Sequence, residues 1–489
     1  MNYLGIDVGS TNIKCHLSTQ DNHLLFKMSK NYQTLIKEDK HYVDIESIYH
    51  ALEDMVFSAS NYGDIDAICI SSFGESFTLL DEHDQILALP MLYTDSRGTE
   101  EAKEMLDIMP LEEIYRITGT IPQSMYSIYK FLWIKKHHQD VFKKANKFLQ
   151  IADFLNYKMT DQHVTDYSLA ARSGVFDIDK KTFSKVILEK LGIDEKIFPK
   201  PLSTGSVVGL VSQNFANKCK IKSSCKVIIG GHDQVMAAIG AGIIKDKMCV
   251  DGMGTVECMT TTFNKRVNDL NMGLKGYAVV PFLNGYCTYL FNYTGGSLVE
   301  WAKKELFQNT INEQAMEEKV YKENNLGPTG ILSLPYFGGA ATPNQNIYAK
   351  GSIINLGIQT KTSTIYKSLL EGLAYEMKYN LEVVKQFGIE TNYIVASGGG
   401  TQSQLWLQIK ANVFNQNIYP LTDKESGITG AIMLCSKAMG TTKELADAAK
   451  IFVKYNQPIK PDQQYVDNYQ KQYLKYIKVY DAVSQFIED

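Results

Sequence analysis

Two stretches half a chain apart carry the same local pattern. In Tyr3-Leu4-Gly5-Ile6-Asp7-Val8 an apolar strand runs into the turn Gly9-Ser10-Thr11-Asn12, and alternating positions Ile13, Cys15 and Leu17 follow. In Met248-Cys249-Val250 an apolar strand runs into Gly252-Met253-Gly254-Thr255, and Glu257-Cys258-Met259-Thr260-Thr261 follows. This recurrence predicts a duplicated architecture divided near residue 245, with domains 1–245 and 246–489. Length agrees, because 489 residues exceed what one hydrophobic core usually holds.

The rest of the pattern is mixed β and α, which places the chain in the α/β class. Leu25-Phe26 completes a three-stranded meander with the first two strands. Helical spacing covers Ile45 to Ala59, and strand-like runs cover Ile65 to Ile70 and Phe77 to Leu80. Helical patterns follow around Thr99–Ile108, Tyr129–His137 and Phe183–Leu191. The final fifty residues read as helical. In them Tyr465, Tyr469, Tyr473, Tyr476 and Tyr480 mark one helix face, read as packed on the domain rather than as an aromatic binding face.

Composition excludes several function classes. Fifty basic against 54 acidic residues leave a net charge of −4, no electrostatic basis for binding nucleic acid or a membrane surface. No apolar run reaches the ~18 residues of a membrane span. The start of the chain has no signal-peptide pattern, and none of the eight cysteines forms a Cys-x-x-Cys pair, so a cytoplasmic protein with reduced thiols is expected.

Glycine-rich turns carry the chemistry. Glycine lets backbone amides approach an anion closely, and Ser or Thr hydroxyls add donors, so the two Gly/Thr turns suit a polyphosphate. Neither a Gly-Lys dipeptide nor Gly-x-Gly-x-x-Gly occurs, so phosphate would be held by hairpins rather than by a P-loop. In Gly230-Gly231-His232-Asp233-Gln234 a strand ends at a Gly-Gly turn, and strand ends in α/β sheets are where ligands bind. Asp233 there can serve as a general base or as a helix N-cap. Gly398-Gly399-Gly400 joins a strand to a helix and offers bare backbone to a flat ring, or serves packing alone. Asp7, beside the first turn, could face a hydrated Mg²⁺ or be an ordinary strand-end residue. Glu75, Asp95 and Arg97 follow apolar segments and read as polar substrate contacts or as surface loops.

In this order the motifs resemble the FGGY family of carbohydrate kinases over nearly the whole chain. Asp7-x-Gly9-Ser10-Thr11-x-x-Lys14 resembles its first phosphate motif, and Gly254-Thr255 its second. Met125 to Ile134 resembles a segment built around Lys130-x-x-Trp133. Gly231-His232-Asp233-Gln234 resembles the catalytic-base segment. Leu334 to Gly339 with Thr342-Pro343, Glu371-Gly372 and Gly398-Gly399-Gly400 resemble parts of its C-terminal half.

The resemblance implies a two-lobed, duplicated actin/Hsp70/hexokinase-like (ribonuclease H-like) ATPase fold. It implies a kinase that moves the γ-phosphate of ATP to a hydroxyl of a small sugar, with Mg²⁺ as cofactor. Asp233 would be the base. Gly9, Ser10, Thr11, Asn12, Lys14, Gly254, Thr255, Gly296, Gly399, Gly400 and Asn412 would hold ATP. Glu75, Asp95, Asp233 and Gln234 would line the sugar site, and Asp7 would face the metal. Partners are then a sugar and ATP, with room for a homodimer.

Departures bear on the substrate. Val256 stands where the second phosphate motif often has Ser. Gly74-Glu75 stands where xylulokinases usually carry Met-His and glycerol kinases Arg-Glu, and Met125 stands where glycerol kinases use an aromatic. A ketopentose such as xylulose is expected, with a polyol or aldonate as alternatives. A non-metabolic ATPase of the same fold or a sugar-sensing regulator fits less well, since Asp233 and the sugar-side carboxylates would then have no use.

Overall fold

The computed structural model describes residues 1–32, 34–37 and 40–486. The chain divides into two units. The first comprises Met1–Ile244, Val279–Tyr286 and Glu425–Val453, and the second Lys245–Ala278, Cys287–Lys424 and Lys454–Asp489. Both units are therefore discontinuous, a feature that one boundary does not capture.

The first unit is built on strands β1 (Asn2–Val8), β2 (Asn12–Thr19), β3 (Leu24–Asn31), β4 (Ala67–Ser72), β5 (Val207–Leu210) and β6 (Lys226–His232). Their order across the sheet is β5-β6-β4-β1-β2-β3. β1, β2 and β3 form the antiparallel meander, whereas β4 lies parallel to β1, and β6 parallel to β4.

β1 is buried on both faces, so its apolar run is nearly unbroken rather than alternating. Leu4, Ile6 and Val8 join the core with Ile48, Leu52 and Met55 of helix Ile45–Ser60. The opposite face meets helix Ser426–Ala438. Gly5 makes that approach possible, because a Cβ there would lie 2.7 Å from the Ile428 carbonyl oxygen. The same helix crosses helix Asp233–Gly240 through glycines, since a Cβ on Gly430 would lie 2.3 Å from the Met236 carbonyl oxygen.

The second unit repeats this plan. Its strands are β7 (Met248–Met253), β8 (Glu257–Phe263), β9 (Gly285–Asn292), β10 (Tyr393–Ser397) and β11 (Ile418–Pro420). They run in the order β9-β8-β7-β10-β11, with β7 antiparallel to β8 and parallel to β10, and β10 parallel to β11. The order β3-β2-β1-β4-β6 has the same form, so the recurrence in the sequence is a recurrence of topology.

The C-terminal region corrects the all-helical expectation. Helices Leu445–Phe452, Gln463–Tyr476 and Val479–Ser484 are present. Between the first two, Tyr455 and Ile459 bridge to Leu421 and Ile418 instead. Pro458 and Pro461 lack the amide that a helix needs. Residues 487–489 of that expectation lie outside the described residues. The tyrosine stripe is packing. Tyr469, Tyr473 and Tyr476 are buried, and their hydroxyls donate to Glu371 (3.4 Å), Glu382 (2.7 Å) and Glu376 (2.6 Å) of helix Thr362–Gln386. Among the described residues no helix is long and apolar enough to cross a membrane.

Candidate active site

In the first unit the turn Gly9–Thr11 closes the β1–β2 hairpin, with Asp7 opposite Lys14 in register. The Gly9 amide donates to the Asn12 carbonyl at 2.9 Å. Tyr32 holds the turn from behind: its hydroxyl donates to the Gly9 carbonyl and its amide to the Thr11 carbonyl. Capping the carbonyls removes acceptors that would repel an anion. Thr11 stays exposed and Ser10 half-exposed. Lys14, half-exposed, pairs with Glu425 at 2.9 and 3.0 Å.

Asp7 is half-buried, and its Oδ1 accepts from the Ser71 hydroxyl at 2.6 Å. Burial raises its pKa; the Ser71 bond and Lys14 oppose that, and Glu425 adds to it. Among the described residues no group of three or more His, Cys, Asp or Glu could hold a metal ion. One acceptor-only carboxylate beside a phosphate-type turn nevertheless fits Mg²⁺, which keeps most of its water shell.

Asp233 owes its position to the two glycines before it. The β6–β4 register shifts between Ile228 and Gly231, a bulge that re-aims the end of the strand. A Cβ on Gly230 would lie 1.8 Å from the Ile70 carbonyl oxygen, so only glycine fits there. Beyond the bulge, the His232 amide donates to the Ser168 hydroxyl at 3.0 Å. The helix then begins at Asp233 itself with His232 at its N-cap, so the capping reading of Asp233 does not hold. The Asp233 carboxylate accepts from the Gln234 amide at 2.6 Å, and His232 Nε2 lies 3.4 Å from Asp233 Oδ1. That imidazole is neutral, because burial and Arg172 push its pKa well down.

The Asp233 carboxyl is pushed up to about 7. Burial is the main cause, and the charges of Asp7 and Glu75 add to it, while the Gln234 amide and Arg172 act the other way. Its side chain remains 34% exposed, so water tempers the shift. A carboxyl that titrates near neutrality can take a proton from an alcohol and release it again.

Glu75 is 3% exposed and has φ 65°, a left-handed conformation unusual for a residue with a side chain. Its Oε1 accepts from Nε and Nη2 of the buried Arg172, and its carbonyl accepts from the Ser127 hydroxyl at 2.7 Å. Gly74 lets this segment close on its neighbours: a Cβ there would lie 2.9 Å from the His232 ring. Arg172 also stacks on Tyr126 at 5.0 Å. Asp95 is held differently. Both its oxygens accept from Arg97, whose guanidinium stacks on Tyr42 (4.5 Å) and Trp133 (5.3 Å). Those bonds outweigh burial and hold the Asp95 carboxyl below its ordinary range.

Sequence reasoning missed Arg172, Tyr32 and Tyr93, and noted Lys130 only as part of the Lys130-x-x-Trp133 segment, without a role in the site. Tyr93 lies close enough to Asp233 and Glu75 for their charges to join burial in raising its pKa. Lys130 is fully buried, donates to the Ser124 carbonyl, and is lowered to about 8, chiefly by burial. One signal was available for Arg172. Only four of the 50 basic residues are arginine, and arginine is the residue suited to a buried carboxylate pair.

In the second unit the turn Gly254–Val256 closes the β7–β8 hairpin and is exposed. Its carbonyls are capped as in the first turn. The Gly296 amide donates to Gly254 at 2.7 Å and the Ser297 amide to Thr255 at 3.1 Å. Gly296 opens helix Gly296–Glu305 and buttresses the turn. Gly398 and Gly400 are fixed by packing: a Cβ would lie 2.8 Å from the Met253 carbonyl oxygen at Gly398, and 2.7 Å from the Met253 Cβ at Gly400. At Gly399 a Cβ would have nothing within 4 Å. Asn412 is buried, and its Oδ1 accepts from Gln408 (3.0 Å) and the Asp462 amide (2.7 Å), which ties two helices together.

Residues 2–240 match the N-terminal domain of the FGGY family of carbohydrate kinases, and residues 253–439 match its C-terminal domain. The chain belongs to this family. It is an ATP-dependent sugar phosphotransferase with the two-domain actin/hexokinase-like fold. It is 27% identical over 492 residues to a xylulose kinase of Bacillus subtilis, covering 98% of this chain and 96% of the relative. A ligand-bound xylulose kinase from Lactobacillus acidophilus superposes with a TM-score of 0.90 at 25% identity, covering 99% of this chain and 98% of that one. A gluconate kinase from the same organism gives the same TM-score of 0.90 at 25% identity and the same coverage, 99% and 98%.

Proposed function

We propose that this kinase phosphorylates a ketopentose such as xylulose, with Asp233 as the general base. The observation that carries the base assignment is the Gly230-Gly231 bulge, which delivers a carboxyl titrating near 7 to the end of β6. Asp233 takes the proton of the acceptor hydroxyl as its oxygen bonds to the γ-phosphorus. The bond from that phosphorus to the β–γ bridging oxygen breaks, and its electrons leave with ADP. The Gly9–Asn12 and Gly254-Thr255 turns hold the β- and γ-phosphates, and Gly399 leaves room for the adenosine. Asp7 would hold Mg²⁺, and the ion would neutralise phosphate charge there. Glu75 acts with Arg172 as one unit beside the acceptor. None of the eight cysteines, all buried, forms a disulfide, as expected in a reducing cytoplasm.

A neutral acceptor is favoured over an aldonate by the state of the nearby cations. Arg172 is taken by Glu75, and Lys130 by backbone carbonyls, so neither is offered to a substrate carboxylate. ADP release measured with xylulose, ribulose, glycerol and gluconate tests this. Release stimulated most by a ketopentose is expected, and release stimulated only by gluconate would overturn the acceptor assignment.

A further inference from the structure

The second unit contains a buried ionic cluster outside the machinery described so far. Lys410, Asp251 and Glu257 are each 0% exposed. The Lys410 ammonium donates to Asp251 Oδ2 and Glu257 Oε1. Asp251 Oδ1 and Glu257 Oε2 are buried without a hydrogen-bond partner. Two carboxylates against one ammonium leave an excess negative charge, which one retained proton cancels. The Glu257 carboxyl is pushed up to about 8 by burial, with Asp251 adding to the rise and Lys410 opposing it.

Such a cluster is a poor source of stability, because desolvating its charges offsets most of their attraction. Its location gives it another use. Asp251 lies on β7 three residues before Gly254, and Glu257 follows the turn directly on β8, with Asp251 opposite Met259 and Glu257 opposite Met253 in register. The two carboxylates thus sit on opposite legs of the hairpin, within three residues of its turn. Lys410 reaches them from helix Gln404–Phe414, which follows the Gly398–Gly400 turn. Its ammonium lies 5.7 Å from the Trp406 ring, and Trp406 in turn limits Gly400, where a Cβ would lie 2.8 Å from its Cζ3. A continuous chain of contacts therefore joins the phosphate turn to the adenosine turn.

We propose that Lys410, Asp251 and Glu257 are positioning residues. They form an ionic clip that fixes the Gly254-Thr255 turn relative to the Gly398–Gly400 turn, so that one nucleotide engages both. The proposal rests on the assignment of these turns to ATP.

The test is the triple variant Lys410→Met/Asp251→Asn/Glu257→Gln, which removes all three ionisable groups together and so leaves no charge uncompensated. It should fold, keep the KM for sugar and lose roughly 10²-fold in kcat/KM for ATP, the scale of a small misplacement of reacting groups. Adding Thr255→Val should then cost less than it does in the wild type, because the turn is already released. A folded triple variant with wild-type ATP kinetics, or fully additive effects, would overturn the clip. Should the triple variant not fold, Asp251→Asn alone leaves a balanced Lys410–Glu257 pair. A roughly tenfold loss in kcat/KM for ATP is expected of it, and no loss would refute the proposal. If Thr255→Val in the wild type leaves ATP kinetics unchanged, the phosphate assignment fails instead, so the two failures are distinguishable.

Discussion

Replacing Asp233 by Asn should stabilise the protein while removing its chemistry, and the stabilisation should depend on pH. Holding a carboxyl near 7 instead of the ordinary ~3.9 corresponds at most to about 4 kcal/mol in favour of its protonated form. The side chain is 34% exposed, so solvent screening reduces this to about 1–2 kcal/mol. The raised pKa means that the folded state binds the proton more tightly than the unfolded state. Stability from this group is therefore present at low pH and is lost as pH rises through about 7. At pH 8 the folded wild type carries a desolvated charge near Asp7 and Glu75, and the Asn variant does not. Thermal unfolding should show the variant higher in Tm at pH 8, by about 2–4 °C for each kcal/mol. The advantage should shrink as pH falls through 7 and vanish below about 4, where the group is protonated in both states. The same variant should lose roughly 10²–10⁴ in kcat. A Tm difference that does not change with pH, or a variant less stable at pH 8, would refute this electrostatic account of Asp233.

Three further outcomes follow from the geometry. Gly399→Ala should leave Tm within about 0.5 kcal/mol of wild type yet raise the KM for ATP, whereas Gly400→Ala should cost about 1–3 kcal/mol through overpacking on Met253 and Trp406; thermal melts with ATP titrations separate the two. Glu75→Ala should destabilise by about 3–5 kcal/mol by leaving Arg172 buried and uncompensated, and Arg172→Met added to it should recover most of that loss in a double-mutant cycle. Tyr32→Phe removes the hydroxyl that caps Gly9, so ATP affinity measured by calorimetry should fall while sugar affinity holds.

The duplicated plan was legible because strand–turn–strand periodicity is local. β1 and the helix at 45–60 announce themselves within a few residues, whereas the Gly-Gly turn expected before Asp233 is a bulge inside β6, which continues to His232. The turns were legible as turns, but not their capping, since Tyr32 and Ser297 lie at distances that no local pattern encodes. Gly398-Gly399-Gly400 read as one unit, yet packing constrains two of the three and leaves one open. The pairings of Arg172 and Lys410 were invisible for the same reason: a basic residue between small or apolar neighbours does not name the distant carboxylate that pairs with it. The return of helix 426–438 to the first unit depends on Gly5 and Gly430, whose role appears only once their neighbours are known.

In the proposed reaction this chain moves the γ-phosphate of ATP to a sugar hydroxyl while Asp233 takes the proton. Its most direct test follows the label from γ-labelled ATP into xylulose, comparing wild type with Asp233→Asn. Labelled sugar phosphate formed by the wild type, and slowed by roughly 10²–10⁴ in the variant with ATP still bound, is the predicted result. Equal labelling by the two proteins would contradict it.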